Sequence, residues 1–292
     1  LGEDMAISFK QIEEKLKAES KRLLETGQVS VVLAYQNGYD EKHPMPYAAK
    51  CVSDVENIIF NEYCNFNMAR YLVRYSRGTK IAIAVKAADS RAVIQLLHEE
   101  KVCREDVVVM GIPVYGMKNS ETGQEIDGQT TCGLYNPVLY DILLGEEIHG
   151  KPVVSPFEVL TPYEAMDRED RFVFWKKEFD RCIRCYACRK ACPMCYCDPC
   201  FIDQQKPRWG EKSPQSSGNF MYHLTRFHHL AGRCVDCGEC SRACPVNIPL
   251  YLFHKKMAKE CKEMFGQGAG MSLKDKPVLI NFRVDDSDKI LE

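Results

Sequence analysis

The sequence predicts an α/β domain with a mainly parallel sheet, followed by a helix-rich domain that is dense in cysteine. Short apolar runs alternate with amphipathic helices in the first half, which is typical of parallel strands covered by helices on both faces. In the second half, 11 of the 16 cysteines fall between Cys182 and Cys244. We therefore expect an α/β domain over 1–165, a second domain over 166–265 and a C-terminal tail over 266–292.

The composition excludes several classes of protein. With 45% hydrophobic and 27% charged residues, the 292-residue chain has enough apolar material for two domains and is not disordered. The 39 basic and 41 acidic residues nearly balance, so the net charge gives no reason to expect a nucleic-acid partner. No apolar run approaches the roughly 18 residues that cross a bilayer, and the first residues are acidic. We expect a cytoplasmic protein without a membrane span.

The first predicted element is an amphipathic helix over 5–26. Within it, Phe9, Ile12, Leu16 and Leu23 recur at spacings of three, four and seven, with Lys and Glu between them. This spacing places the apolar side chains on one face of a helix.

Alternation of strands and helices follows this helix. In chain order, the predicted elements are strands at 30–35 and 57–60, a helix near 67–77, a strand at 80–85, a helix near 89–101 and a strand at 106–111. The last three predict a βαβ unit, with Asp89 or Ser90 as the residue that caps its helix.

Loops and one further helix complete the outline. A Gly-, Thr- and Asn-rich stretch at 115–135 predicts a long loop at the rim of the sheet, and such loops are often functional. Helical periodicity returns over 164–179, where the second domain begins. A polar loop at 207–219 then separates two groups of cysteines.

The two cysteine groups share the spacing C-x2-C-x2-C-x3-C-P. They run from Cys182 to Pro193 and from Cys234 to Pro245. This is the spacing of bacterial two-cluster ferredoxins, in which three close cysteines bind one 4Fe–4S cluster and the fourth binds the other cluster. The second domain is therefore predicted to be ferredoxin-like, with two 4Fe–4S clusters.

Ligation is expected to cross between the motifs, because the fourth cysteine begins a turn that points away from its own cluster. The first cluster then has the ligands Cys182, Cys185, Cys188 and Cys244. The second has Cys234, Cys237, Cys240 and Cys192. This crossing places the two clusters side by side.

Zinc is the main alternative, since C-x2-C pairs are common in zinc ribbons. Two complete repeats, each ending in Cys-Pro, favour iron–sulfur clusters instead. A disulfide framework is typical of small secreted domains rather than of a chain this long. Between Asp180 and Glu260, the sequence has 13 basic and 7 acidic residues, an excess of positive charge. This excess would offset anionic clusters, and a solvated face that docks an acidic partner explains it equally well.

Three more cysteines, Cys195, Cys197 and Cys200, follow the first motif. They could hold a third metal centre, with a fourth ligand from elsewhere in the chain or from a partner, or they could be spare thiols. The scattered cysteines are more often small buried hydrophobes than ligands; they are Cys51, Cys64, Cys103, Cys132 and Cys261. His223, His228 and His229 are expected to pack or to lie on the surface.

With both motifs read, the chain resembles a known group of redox subunits. The segment from Cys192 to Cys197 is similar to the CP-x-CYC element of the beta subunits of cytoplasmic sulfhydrogenases and anaerobic sulfite reductases. Residues 80–117 resemble the beta-subunit family of deazaflavin-reducing hydrogenases and formate dehydrogenases. This chain has alanine and valine where that family carries cysteine, in the stretches matching 86–89 and 111–114. Any thiol chemistry of those positions is therefore expected to be missing here.

The resemblance implies an electron-transfer subunit in a soluble anaerobic complex. Its expected partners are a hydrogenase, a formate dehydrogenase or a heterodisulfide-reductase-like catalytic subunit, together with another redox partner. We expect an acidic partner surface to meet four basic residues of the first motif: Arg181, Arg184, Arg189 and Lys190.

Two other functions stay open. The first domain could bind FAD at the carboxyl edge of its strands, near the residues Lys86, Asp89, Ser90, Arg91, Gly111 and Gly116. Against this, the chain has no GxGxxG motif. Alternatively, the protein could be a non-redox structural subunit with zinc sites.

Overall fold

A five-stranded sheet organises the first half of the protein. The structure is a computed structural model that describes residues 8–126, 132–150, 155–278 and 284. The strands are β1 (Val31–Gln36), β2 (Met45–Ala49), β3 (Ile81–Val85), β4 (Val107–Gly111) and β5 (Ile142–Leu143). Their order is β2-β1-β3-β4-β5; all neighbours are parallel except the antiparallel β1–β2 pair. The prediction of a mainly parallel sheet is confirmed.

The central strands are apolar throughout because both faces of the sheet are covered. All five residues of β3 are buried, and β3 pairs with β4 from Ile81–Val107 to Val85–Gly111. Helix α1 (Phe9–Glu25) begins after Ser8, whose side chain forms a capping box with Gln11. This confirms the predicted amphipathic helix over the described part of 5–26.

Helix α2 (Ala87–His98) connects β3 to β4 and completes the predicted βαβ unit. The predicted cap at Asp89 or Ser90 is wrong, because the helix begins two residues earlier and Lys86 is its N-cap. The Asp89 carboxylate lies one turn inside and accepts the backbone N–H of Lys86 at 3.0 Å. Ser90 donates to the Ala87 carbonyl at 2.8 Å and is buried.

Two predicted elements differ from the structure. Residues 57–60 are not a strand: a 3-10 helix occupies Val52–Asn57, and Ile59 makes a single bridge to Tyr35. The antiparallel partner of β1 is β2 instead. The predicted helix near 67–77 is a 3-10 helix over Met68–Arg74.

Within the described part of the second half, six α-helices follow a short 3-10 helix over Glu158–Leu160. They are α3 (Thr161–Glu164), α4 (Arg168–Asp180), α5 (Ala187–Ala191), α6 (Ser216–His229), α7 (Glu239–Arg242) and α8 (Leu250–Phe265). The helical stretch predicted over 164–179 is interrupted at Asp167, whose side chain caps α4 by accepting the N–H of Asp170 at 2.8 Å. An aromatic core holds these helices together, with Phe179 between Trp175 and Phe253.

Packing is continuous across the predicted boundary near 165. Met194, Leu230 and Val235 are buried in the same cluster as the sheet residues. The described part of the predicted tail, 266–278, lies against α2: Arg91 donates to the Ala269 carbonyl from Nε and Nη2 at 3.1 and 2.9 Å. The division into three segments stays a prediction. No helix in the described segments is long and apolar enough to span a membrane.

Candidate functional site

Two loops of matching backbone shape present the cysteine motifs. Arg184 and Asp236, each two residues after the first cysteine, have φ angles of 58°. The residues one place after the second cysteine, Tyr186 and Gly238, have φ angles of 60° and 74°. Three of these four residues are not glycine, so this left-handed backbone costs energy, and the surrounding structure must hold it in place. Both motifs therefore repeat the same unfavourable backbone conformation, and such conformations are typical of functional sites.

The thiols group across the motifs. Cys192 from the first motif lines one small cavity together with Cys234, Cys237 and Cys240 from the second. For the other ligand set, burial raises the pKa of Cys182, and the Cys188 and Cys244 thiols raise it further. Both of these thiols therefore lie close to Cys182. Cys185 is exposed. The grouping supports the crossed ligation that the Cys-Pro ends predict.

The donor set fits iron–sulfur clusters. Among the residues that the structure describes, no three Cys, His, Asp or Glu side chains converge as a single metal ion requires. A 4Fe–4S cluster has one thiolate at each of its four irons, so its ligands surround the cluster rather than meet at one atom. Backbone N–H groups also point at ligand sulfurs: those of Arg184 and Ile248 lie 3.4 Å from the Sγ atoms of Cys182 and Cys244.

The three extra cysteines share a cavity of about 410 Å³. A hydrogen bond with the Cys192 thiol lowers the pKa of Cys195, although burial acts in the opposite direction. The wall of this cavity is rich in basic side chains, namely Arg70, Arg74, Arg189, Lys190, Arg226 and Arg233. Positive charge and soft sulfur ligands therefore face the same space.

The six residues predicted for a flavin site separate into two groups. Lys86, Asp89 and Gly116 line a cavity of about 290 Å³ that also contacts Cys237. This volume lies at the lower end of the range of about 300–1,000 Å³ that is usual for ligand sites.

The other three predicted flavin residues do not line that cavity. Ser90 accepts the N–H of Val138 at 2.9 Å, and Gly111 faces Tyr140, leaving no room for a ligand. Arg91 lines a larger cavity of about 630 Å³, which includes Cys234. Cys132, Gly133 and Leu134 border both cavities. The volume of the larger cavity lies within the usual range for ligand sites.

The predicted basic docking surface is wrong in part. Arg184 is only 5% exposed, and its guanidinium donates to the carbonyls of Gly218 and Glu211 at 2.6 and 2.5 Å. Arg189 is paired with Asp203 at 2.6 Å. Arg181 and Lys190 are exposed, as a docking surface requires.

The three histidines expected to pack or to lie on the surface do so, and His229 also lines the cavity of the extra cysteines. His223 is buried and stacks on Phe179 with ring centroids 4.5 Å apart; burial lowers its pKa to about 3. His228 and His229 are exposed. Sequence reasoning missed His254, which is buried beside Arg226, because nothing in the local pattern around α8 distinguishes it.

Comparison with known proteins agrees with the cysteine geometry. Residues 178–248 match the family described as 4Fe-4S dicluster domain, and this range contains all eight motif cysteines. The predicted dicluster domain is confirmed.

Two relatives are beta subunits of formate dehydrogenases. The chain is 40% identical over 86 residues to the F420-dependent formate dehydrogenase subunit beta of Methanocaldococcus jannaschii, a match covering 29% of this chain and 22% of the relative. It is 32% identical over 124 residues to the F420-dependent formate dehydrogenase 1 subunit beta of Methanococcus maripaludis, covering 41% of this chain and 31% of the relative. The matches therefore span less than a third of either relative. They confirm the resemblance to formate dehydrogenase beta subunits.

Proposed function

We propose that the protein is an electron-transfer subunit that relays electrons through two 4Fe–4S clusters, between a catalytic subunit and another redox partner. The observation that carries this proposal is the grouping of Cys192 with Cys234, Cys237 and Cys240 around one cavity. Ligands shared between two motifs hold two clusters close together. A pair of neighbouring clusters conducts electrons and needs no substrate pocket of its own.

The exposure of the two motifs indicates which cluster lies nearer to a partner. Cys185 and Ile183 of the first motif are exposed, with Ile183 at 56%. The thiols of the second set lie against the α/β half, where Cys237 and Cys234 border the two cavities described above. The first cluster is therefore the one that meets a partner at the surface, and the second exchanges electrons on the side of the sheet.

The relatives suggest the kind of assembly. Both are named as beta subunits of F420-dependent formate dehydrogenases. We propose that this chain works in a cytoplasmic, anaerobic complex whose catalytic subunit is a formate dehydrogenase, a hydrogenase or a heterodisulfide-reductase-like protein. Of the four predicted basic residues, Arg181 and Lys190 are exposed to an acidic partner surface, although Arg181 already pairs with Glu178 at 2.7 Å.

A flavin-containing oxidoreductase subunit is the second candidate function. The cavity of about 630 Å³ favours it, because Arg91 and Cys234 lie on its wall. A flavin bound there would lie beside the second cluster. The side chain of Arg91 is held by Ala269 and would offer its remaining N–H donors to a phosphate or a ring oxygen.

One set of measurements tests both functions. The native complex is purified without oxygen, its iron, zinc and flavin are quantified, and the copurifying subunits are identified. Two clusters give about eight irons per chain. Two irons or fewer with stoichiometric zinc would contradict the relay. A stable monomer that contains flavin and oxidises a small molecule by itself would favour the second function.

A further inference from the structure

Arg226 lies where three groups of cysteines meet. This α6 side chain is 3% exposed. It lines the small cavity of Cys192, Cys234, Cys237 and Cys240, and it also lines the 410 Å³ cavity of the extra cysteines. Its Nη2 donates to the carbonyl of Cys188, a first-motif ligand, at 3.2 Å. One guanidinium therefore contacts both cluster sites.

The charge of Arg226 has no carboxylate partner among the described residues. The other cations nearby are paired: the partly exposed Arg242 with Glu239 at 2.8 Å, and the buried Lys255 with Asp236. Arg226 instead donates from Nη1 to Nε2 of His254 at 2.7 Å. Since arginine has only donors, this Nε2 is unprotonated and His254 is neutral. The acidic groups that interact with Arg226 are thiols: Cys195 hydrogen-bonds it, and Cys188, Cys192 and Cys240 lie close enough to raise its pKa.

Two buried donors at this point also lack partners. Nε of Arg226 and Nδ1 of His254 make no hydrogen bond to any described residue. Buried polar atoms are nearly always satisfied, so an unpaired donor points to a group that the chain itself does not supply. The adjacent cavity is the one surrounded by the four thiols of the second set.

We propose that Arg226 is a shared counter-charge for both clusters, which donates from Nε to the second cluster and raises the reduction potentials of both. This inference rests on the proposed relay function. Reduction adds one electron from an external donor and makes a cluster one unit more negative, with no bond formed and no proton moved. A fixed positive charge favours the reduced form of each cluster. Because the site is buried, salt screens this effect little.

The test compares Arg226→Gln and Arg226→Lys with the wild type in the full chain, prepared without oxygen. Midpoint potentials of both clusters are measured by redox titration with dithionite, monitored by electron paramagnetic resonance. In Arg226→Gln we expect the equilibrium constant for one-electron reduction to fall by at least about tenfold at each cluster, which is about 59 mV for a one-electron couple. Arg226→Lys keeps the charge, so both potentials should stay close to those of the wild type.

Arg242→Gln is the matched control. Arg242 is also an arginine beside the clusters, with a side chain that is 20% exposed; it bonds the carbonyl of Cys237 at 2.8 Å and contacts the second set alone. Its replacement should shift the second cluster and leave the first unchanged. Potentials that stay at wild-type values in Arg226→Gln, or a shift confined to one cluster, overturn the inference while the relay function stands. Loss of iron–sulfur signals from the wild type would overturn the relay function itself.

A second measurement covers the case in which Arg226→Gln fails to assemble its clusters. Wild-type protein grown with arginine that carries ¹⁵N only in its guanidinium group is examined by pulsed electron paramagnetic resonance after reduction of each cluster; the backbone nitrogen of Arg184, beside Sγ of Cys182, then carries no label. We expect a guanidinium nitrogen coupling at both clusters, which Arg226→Lys removes at the first cluster and weakens at the second, where Arg242 remains. Absence of such a coupling at either cluster overturns the inference.

Discussion

Glu99 and Arg233 join the two halves of the chain through a bidentate ion pair. Arg233 donates from Nε and Nη2 to the two carboxylate oxygens at 2.6 and 2.7 Å. The hydroxyl of Tyr196 donates to the same carboxylate and accepts from Arg233 at 2.9 Å. Glu99 ends α2, and Arg233 directly precedes Cys234. The pair therefore fixes the start of the second cysteine motif against the α/β half.

Replacing Glu99 should weaken this junction. Burial alone would raise the pKa of Glu99, but hydrogen bonds from Arg233 and Tyr196 outweigh it and lower the pKa below its usual value of 4.5. The contribution of the pair is thus complete above pH 4.5 and is lost as the pH falls through the folded pKa. We expect Glu99→Gln to cost about 2 kcal/mol of stability at pH 7, measured from urea unfolding midpoints without oxygen.

The control is an exposed ion pair of the same type. Glu211 and Arg208 are 61% and 50% exposed and 3.1 Å apart, so Glu211→Gln should change the stability by less than about 1 kcal/mol. In a double-mutant cycle, Glu99→Gln and Arg233→Gln should be strongly non-additive. Additive effects would contradict a direct pair.

Crossed ligation predicts which cluster each cysteine supports. Cys244→Ala should damage the cluster of Cys182, Cys185 and Cys188, because Cys244 lies beside that set. Cys192→Ala should damage the other cluster, whose cavity it lines. Spectra of the two reduced clusters, recorded separately in each variant, distinguish the outcomes. If each variant loses the cluster of its own motif, the pairing is wrong.

A third centre at Cys195, Cys197 and Cys200 predicts that a triple replacement by serine lowers the metal content. Their common cavity and its basic wall support this hypothesis. The two ferredoxin-like signals should persist, because these thiols are separate from the eight motif cysteines. Metal content equal to that of the wild type would assign the three residues to spare thiols. Replacement of the buried Cys64 by serine, far from the motifs in sequence, serves as the control for thiol loss alone.

Local sequence patterns predicted what depends on local geometry. The continuous apolar runs identified β3 and β4 because both faces are buried, and the cysteine spacing identified the 4Fe–4S dicluster domain. Strand β2 was missed, since Met45–Ala49 contains Pro46 and lies at the sheet edge, where a missing N–H is tolerated.

The remaining features depend on contacts between distant segments. Glu99 and Arg233 are 134 residues apart in the chain, and Arg226 meets His254 across two helices. Neither pair leaves a periodic signal, because each exists only after the two halves have packed together. The residues predicted to bind flavin lie in different surroundings for the same reason. Gly111 and Gly116 are close in sequence, but Tyr140, which comes from a different segment, covers only Gly111.

Two glycine substitutions should therefore have different effects. A Cβ at Gly111 would lie 2.8 Å from Cβ of Tyr140 and 3.1 Å from Cγ of Pro137. Such overpacking costs about 1–3 kcal/mol, so Gly111→Ala should lower the unfolding midpoint whether or not a flavin is bound. A Cβ at Gly116 meets no described atom within 4 Å, and Gly116→Ala should leave stability unchanged.

Flavin content then decides the role of the smaller cavity. Gly116 lines it, together with Lys86, so a flavin that extends into this space should be bound more weakly by Gly116→Leu, whose side chain projects into the cavity. Because the cavity of about 630 Å³ has the larger volume, a flavin confined there should be insensitive to Gly116→Leu and sensitive to Arg91→Met. Flavin released on denaturation of each variant is measured by fluorescence against the wild type. If both variants contain as much flavin as the wild type, neither cavity is the flavin site.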